Sequence, residues 1–193
     1  MRYLVIDTET GGLDFNIHSL LTVGFVVFED GKIIDRTEFK LKHDVYCVTG
    51  EALKVNNIDL TQLNETPKEA FDRMVNFINR SFPNKKVNIM GHNVYFDIQF
   101  LKKFWNDNIK NIQNYTILND FKWDIKFSHH YVDTMQIAKF LKDMGKLKSS
   151  GVSLEVLIDY FNLKAESRHT AMEDATMTAF VYEKLKEIAR WNW

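Results

Sequence analysis

Two acidic residues, Asp7 and Glu9, end an apolar run, RYLVIDTET, at residues 2–10. This run predicts a β-strand, and a spacing of two places both carboxylates on the same face of it. Neighbouring like charges at the end of a buried strand repel each other unless a cation lies between them or one of them is protonated. The pair is therefore interpreted as ligands for a hard metal ion, against the alternative of a polar strand tip in solvent.

Two further acids, Asp97 and Asp174, each fall in the first turn of a predicted helix. Each helix follows a short strand or loop that could return to the first strand, so four carboxylates could converge. Acids near helix N-termini also stabilise the helix dipole, which is the alternative role for each of them. His169 precedes Thr170, the predicted cap of the last helix, and so stays on a loop from which it can reach Asp174. A lone histidine can equally be structural or exposed.

The elements that must position these residues begin with a predicted antiparallel meander. The runs LLTVGFVVFED and KIIDRTEFKLK are rich in β-branched and aromatic residues, and Asp30-Gly31 between them is a hairpin signal. A weak pattern at 44–63 suggests a loop with short helical turns. Thr66-Pro67-Lys68-Glu69 is a capping box that predicts a helix to about Phe82.

The second half of the chain predicts a short buried strand at 87–90 and a helix capped by Asn93. Residues 109–130 show no clear period and are interpreted as an irregular insertion whose aromatic residues pack or stack on bases. Further helices are expected at 135–144 and 153–161, and Thr170 to Glu173 form a second capping box that opens a long final helix.

The composition is that of a globular protein with one domain, residues 1–193. With 45% hydrophobic and 26% charged residues, the chain can bury a core. The net charge of -1 shows no basic excess, so any contact with nucleic acid must come from local basic patches. The single cysteine, Cys47, cannot form an internal disulfide, and Met1 leads directly into a strand, so a cytoplasmic location is expected. No apolar stretch reaches membrane-spanning length, which argues against a membrane protein.

Three segments carry a resemblance to a known family. DTET at 7–10, GHNVYFD at 91–97 and HTAMED at 169–174 resemble the three motifs of the DEDDh exonucleases, the DnaQ-like 3′-to-5′ exonucleases with an RNase H-like fold. The motifs occur in the family's order across nearly the whole chain. One departure is Gly11-Gly12, where many relatives carry threonine-glycine; this change is expected to loosen the pocket and to leave the ligands in place.

The resemblance implies an α/β, RNase H-like three-layer fold with a mixed five-stranded central sheet and helices on both faces. It also implies that Asp7, Glu9, Asp97 and Asp174 hold two divalent cations and that His169 is the general base. Oxygen ligands favour Mg²⁺ or Mn²⁺. Two cations about 4 Å apart can activate a water and stabilise the leaving 3′ oxygen, so the implied products are nucleoside 5′-monophosphates.

Substrate contacts are also implied by the resemblance: Thr10 and Leu13 on one side of the terminal nucleotide, and Asn93 and Phe96 on the other. For Phe96, burial in the core is an equal alternative, since its spacing fits the buried helix face. Basic residues that could guide a phosphate backbone, with plain solvation as the alternative, are Lys102, Lys103, Lys146 and Lys148.

The leading hypothesis is a metal-dependent 3′-to-5′ exonuclease that acts on single-stranded DNA or RNA 3′ ends. The alternatives are a non-catalytic subunit, associated with a polymerase or bound to nucleic-acid ends, and an endonuclease on the same fold. The sequence leaves open the choice between DNA and RNA, and between a polymerase and a second copy of the chain as protein partner.

Overall fold

The computed structural model describes residues 1–83, 85–110, 120–165 and 170–190. The first three strands are β1 (Arg2–Thr10), β2 (Leu20–Glu29) and β3 (Lys32–Lys40), and they form the predicted antiparallel meander. The loop between β2 and β3 has two residues with positive φ, Asp30 at 49° and Gly31 at 81°. This conformation matches the tight hairpin turn that the Asp-Gly pair predicts.

The remaining elements continue the sheet and cover it. In chain order they are α1 (Gly50–Asn56), a 3-10 turn (Leu60–Gln62), α2 (Pro67–Ser81), β4 (Val87–Gly91), α3 (Tyr95–Ile109), α4 (Trp123–Lys126), β5 (Phe127–Asp133), α5 (Thr134–Asp143), α6 (Leu154–Tyr160) and α7 (Ala171–Arg190). The capping box predicted for α2 is present, with Thr66 accepting from the backbone N–H of Glu69 and the Glu69 side chain accepting from that of Thr66.

The sheet has the strand order β3-β2-β1-β4-β5. β1 pairs antiparallel with β2 and parallel with β4, and β4 pairs parallel with β5. The predicted mixed five-stranded sheet is therefore confirmed. β1 is the central strand: β4 pairs with it at Leu4 and Val5, and β2 pairs with it as far as Thr10, so the acids at its end are supported by the pairing with β2.

Helices cover both faces of the sheet. On one face, the side chains of Leu4 and Ile6 pack into a core shared with α2 and α3. On the other face, Val5 packs against Ala175 and Ala179 of α7. No helix in the described ranges is long and apolar enough to cross a membrane.

The irregular insertion predicted at 109–130 is partly wrong. β5 begins at Phe127, and Phe121, Trp123 and Phe127 are buried, as the packing interpretation expects. The Trp123 and Phe127 rings stack with centroids 4.1 Å apart, and the indole N–H of Trp105 donates to the Phe121 carbonyl oxygen at 2.7 Å. Residues 111–119 of the insertion, including Tyr115, lie outside the described ranges.

The predicted capping of α3 by Asn93 is also wrong. Val94 precedes the helix, with no side-chain cap, and Asn93 adopts a left-handed conformation with φ of 60°. Its backbone N–H donates instead to the Asp133 carboxylate at 3.1 Å. Asp133 therefore holds the turn that precedes α3.

Candidate metal centre and active site

Strand β1 delivers Asp7 and Glu9 to the sheet face that α7 covers. Asp7 is paired with Gly24 of β2, and Glu9 with Thr22. Because side chains alternate along a strand, Thr8 between them points to the opposite face. The two faces of the β1 end therefore carry different groups, two carboxylates on one and a hydroxyl on the other.

Gly24 allows α7 to approach Asp7 closely. A Cβ atom at position 24 would lie 2.1 Å from the carbonyl oxygen of Ala171 and 2.4 Å from the backbone nitrogen of Met172. The first turn of α7 therefore lies directly on β2 beside Asp7, and this turn carries Asp174. A side chain at position 24 would push the helix away.

Three of the predicted ligands come together at this contact. One carboxylate oxygen each from Asp7, Glu9 and Asp174 lies within 4.8 Å of the other two. Three anionic oxygens at this separation can share a divalent cation, whose oxygen ligands lie within about 2.0–2.6 Å of the ion.

Asp97, the fourth predicted acid, lies against Thr8 on the other face of β1. It is 4% exposed, and its carboxylate accepts a 2.6 Å hydrogen bond from the Thr8 hydroxyl. It does not belong to the group of oxygens within 4.8 Å, but its charge acts on Asp7. Burial raises the pKa of Asp97 to about 7, against the lowering effect of the Thr8 hydrogen bond. Thr8 thus orients the acid that α3 contributes.

The acids perturb one another strongly. Desolvation raises the pKa of Asp7 well above its ordinary value, and the charges of Asp97, Asp174 and Glu9 raise it further. Desolvation, followed by the charges of Asp174, Asp97 and Glu38, raises the pKa of Glu9 to about 8. A bound cation would favour the ionised carboxylates and relieve this repulsion. The donor set and its electrostatics therefore fit a hard divalent cation.

His169, the predicted general base, lies outside the described residues. The residue that follows it, Thr170, accepts a hydrogen bond from the backbone N–H of Glu173 at 3.2 Å through its hydroxyl, as the predicted capping box requires. Its carbonyl oxygen accepts from the N–H of Asp174 at 2.9 Å. The start of α7 at Ala171 is thus fixed by the predicted cap.

The residues predicted to contact substrate differ in their burial and in their local contacts. Thr10 is buried, and its hydroxyl donates to the Gly12 carbonyl oxygen at 2.7 Å. Leu13 is 86% exposed. Asn93 is exposed, whereas Phe96 is half-buried, with its ring centroid 5.0 Å from that of Phe100. For Phe96 the packing and contact roles are thus both compatible with its position.

The candidate lysines on α3 have acidic neighbours. Lys102 pairs with Asp124 at 3.0 Å and Lys103 with Asp107 at 2.6 Å. Such surface pairs contribute little stability, but they reduce the positive charge that these lysines offer to a phosphate. Lys148 is exposed and Lys146 half-buried on the loop between α5 and α6.

At the Gly11-Gly12 departure, the backbone of Gly11 lies in close contact with the loop at residues 47–49. A Cβ atom at Gly11 would lie 2.3 Å from the Cys47 carbonyl oxygen. The Gly11 N–H donates to the Ser19 carbonyl oxygen, and its own carbonyl accepts from the Thr49 N–H, both at 2.7 Å. A threonine at position 11 would not fit this close approach.

Sequence reasoning assigned no role to two acids near the site. Asp133 accepts backbone N–H groups from Asn93, Met135 and Gln136 through one carboxylate oxygen, and so joins the α3 and α5 starts. Glu38 of β3 adds to the charges that raise the pKa of Glu9. The sequence signal for Asp133 was its position, with Thr134, at the end of a strand. The sequence signal for Glu38 was the alternating pattern of β3.

An acidic cluster at the end of the central strand of a mixed five-stranded sheet is the arrangement that the RNase H-like exonuclease resemblance implies. The sequence profile of the RNase_T family, described as Exonuclease, matches residues 4–182. The chain therefore belongs to this exonuclease family, and its resemblance to the DnaQ-like 3′-to-5′ exonucleases is confirmed.

Relatives in sequence are DNA polymerases III of the PolC type. The chain is 25% identical to that of Thermotoga petrophila over 190 residues, covering 97% of this chain and 12% of the relative. It is 26% identical to that of Clostridium perfringens over 196 residues, covering 96% and 12%. The chain thus spans about an eighth of the length of these curated relatives.

Solved structures of E. coli exonuclease I share the fold. The complex with a dT13 oligonucleotide superposes with a TM-score of 0.77 at 17% identity, covering 96% of this chain and 41% of that one. The complex with a dA16 oligonucleotide gives 0.76 at 17% identity, with 96% and 41% covered.

Proposed function

We propose that this chain is a 3′-to-5′ exonuclease that hydrolyses the terminal phosphodiester of single-stranded nucleic acid and releases nucleoside 5′-monophosphates. The observation that carries the proposal is the set of three carboxylate oxygens, from Asp7, Glu9 and Asp174, within 4.8 Å of one another. Membership of the exonuclease family supports it.

Asp7, Glu9, Asp97 and Asp174 would hold two divalent cations, Mg²⁺ or Mn²⁺. When bound, such cations lower the pKa of an attacking water and stabilise charge on the departing 3′ oxygen. The charges of Asp97, Asp174 and Glu9 all raise the pKa of Asp7, so a bound cation would act on all four carboxylates together. Asp97 is held through the Thr8 hydroxyl, so its carboxylate is oriented before any ligand arrives.

The roles of the remaining predicted residues concern the water and the substrate. His169 would take the proton of the attacking water as general base. Leu13, exposed beyond the Gly11-Gly12 turn, would lie against the terminal base. Thr10, Asn93 and Phe96 would complete the pocket for the terminal nucleotide.

The test is degradation of a 5′-labelled single-stranded oligonucleotide, as DNA and as RNA, with Mg²⁺ or Mn²⁺ and with products identified by mass. Wild type should release 5′-mononucleotides from a free 3′ end and leave circular strands intact, whereas Asp7→Asn should release none. Glu51→Gln, an exposed acid on α1, is the matched control. Cutting of circles would instead indicate an endonuclease, and binding without shortening across several metals would indicate the non-catalytic alternative.

The polymerase relatives support a role beside a polymerase. These relatives are named DNA polymerase III and are about eight times longer than this chain. The proposed protein partner is therefore a polymerase, and the proposed substrate is a DNA 3′ end.

We further propose that residues 1–193 act as one exonuclease domain in the cytoplasm, where the exposed Cys47 would stay reduced. Co-purification with a polymerase and proofreading of a mismatched primer end test the partner.

A further inference from the structure

The edge strand β3 presents a row of charged side chains to the N-terminal end of α7. Through the strand pairing, Arg36 lies opposite Val26, Glu38 opposite Gly24 and Lys40 opposite Thr22. Gly24 is in turn paired with Asp7. The three charged residues therefore share the sheet face of the acidic cluster, one strand further out.

Two of these side chains contact the first turn of α7. The Arg36 guanidinium lies 3.6 Å from the Glu173 carboxylate, whose side chain is only 3% exposed. The Glu38 carboxylate accepts from the backbone N–H of Met172 at 3.4 Å. Met172 and Glu173 directly precede Asp174, so β3 contacts the two residues that set the direction of this acid.

We propose that Arg36, assisted by Glu38, is a positioning residue that fixes the first turn of α7 and so sets Asp174 against Asp7 and Glu9. This inference rests on the proposed metal-dependent function. Gly24 removes the side chain that would separate helix and sheet, and the charged row of β3 then holds the helix from its outer side. Arg36 also compensates the buried Glu173 carboxylate beside the cluster.

Replacing Arg36 should change the metal affinity in opposite directions, depending on whether Arg36 positions Asp174 or acts only through its charge. Replacing Arg36 removes a positive charge near the site, and by charge alone a divalent cation should then bind more tightly. If Arg36 positions Asp174, its loss should instead weaken metal binding, because one ligand is no longer held in place. Residues that orient metal ligands typically change metal affinity about 10- to 100-fold when replaced.

The experiment is calorimetric titration of the metal-free chain with Mn²⁺ alone. For Arg36→Met we expect about tenfold weaker binding. Arg36→Lys keeps the charge and should retain most of the affinity. Arg80→Met is the matched control, because it removes another arginine paired with β3, at Asp35, away from α7. Unchanged or tighter Mn²⁺ binding by Arg36→Met would overturn the inference, whereas no binding by the wild type would overturn the proposed function itself.

A second variant covers the case in which Arg36→Met fails to fold. Arg36→Met/Glu173→Gln removes both members of the ion pair and leaves the local net charge unchanged. A change in its metal affinity would therefore reflect the position of Asp174 and not a change in charge. Weaker Mn²⁺ binding than wild type supports the inference, and equal binding contradicts it. With oligonucleotide substrate, excess metal should restore kcat in the folded variants while KM stays at its wild-type value, because the proposed role of Arg36 acts on Asp174 through the first turn of α7 and not on the substrate.

Discussion

Glu9→Gln should make the metal-free protein more stable above neutral pH. In the folded chain the pKa of Glu9 rises from its ordinary 4.5 to about 8, with desolvation first and the charge of Asp174 second among the causes. Between these two values the folded state holds a proton that the unfolded state has lost. The free energy of unfolding therefore falls as pH rises through this window.

The size of this effect follows from the width of the window. Within this window the free energy of unfolding falls by about 1.4 kcal/mol for each pH unit. Over the window from 4.5 to about 8, the loss of unfolding free energy is at most about 5 kcal/mol. Glu9 is partly exposed and shares its repulsion with three other acids, so we take roughly half, about 2 kcal/mol. Glutamine has no proton to lose, and Glu9→Gln should melt about 4–8 °C above wild type near pH 8.

The assay is thermal melting followed by circular dichroism, in EDTA, near pH 5 and near pH 8. The advantage of Glu9→Gln should be largest near pH 8 and shrink toward pH 5, where wild type is also protonated. Adding Mg²⁺ should reverse the order, because metal binding stabilises the intact ligand set. Glu51→Gln, at an exposed position, should follow wild type throughout. A variant that melts at or below wild type near pH 8 in EDTA would refute the reasoning.

Three other substitutions test the surroundings of the site. Gly24→Ala should displace α7, since the new Cβ would lie 2.1 Å from the Ala171 carbonyl oxygen; we expect a loss of about 1–3 kcal/mol in urea unfolding together with a large fall in exonuclease rate. Asp133→Ala should cost about 1 kcal/mol and raise KM for oligonucleotide, because the Asn93 turn loses its acceptor, while Asp133→Asn should lose less. Trp123→Ala should cost about 3–5 kcal/mol in unfolding but leave the rate of the folded protein near wild type, as expected of a packed ring and not of a base-stacking one.

Local signals predicted the elements whose hydrogen bonds are local in sequence. The capping box of Thr66 and Glu69 joins residues three apart, and the Asp30-Gly31 turn needs only its own two positive φ values. These features depend little on the rest of the fold, so they could be read directly from the sequence.

The elements that were missed depend on distant partners. Residues 128–130, in the first half of β5, are polar and mostly exposed, so they lack the apolar period of a strand. Pairing with β4 imposes the extended conformation instead. The same applies to Asn93, whose backbone N–H finds its acceptor at Asp133, 40 residues further along the chain.

For the site, sequence reasoning identified the acids but not what brings them together. The strand period places Asp7 and Glu9 on one face, and the helix-start signals place Asp97 and Asp174 in the first turns of their helices. The approach of Asp174 to Asp7 and Glu9 depends on Gly24, where the first turn of α7 lies directly on β2. A glycine inside a strand indicates that another backbone segment comes close, but the sequence does not show which segment that is. The Thr8 contact to Asp97 likewise needs a helix on the opposite face.

The register of β1 determines which face of the sheet Asp7, Thr8 and Glu9 occupy. With Asp7 opposite Gly24, Asp7 and Glu9 face α7 while Thr8 faces α3. A slip of one residue would exchange the faces, so that Thr8 met α7 and both carboxylates entered the apolar core beneath α2 and α3. The burial of Leu4 and Ile6 on one face and Val5 on the other opposes such a slip. The apolar first half of β1 therefore determines where the acids of its second half can act.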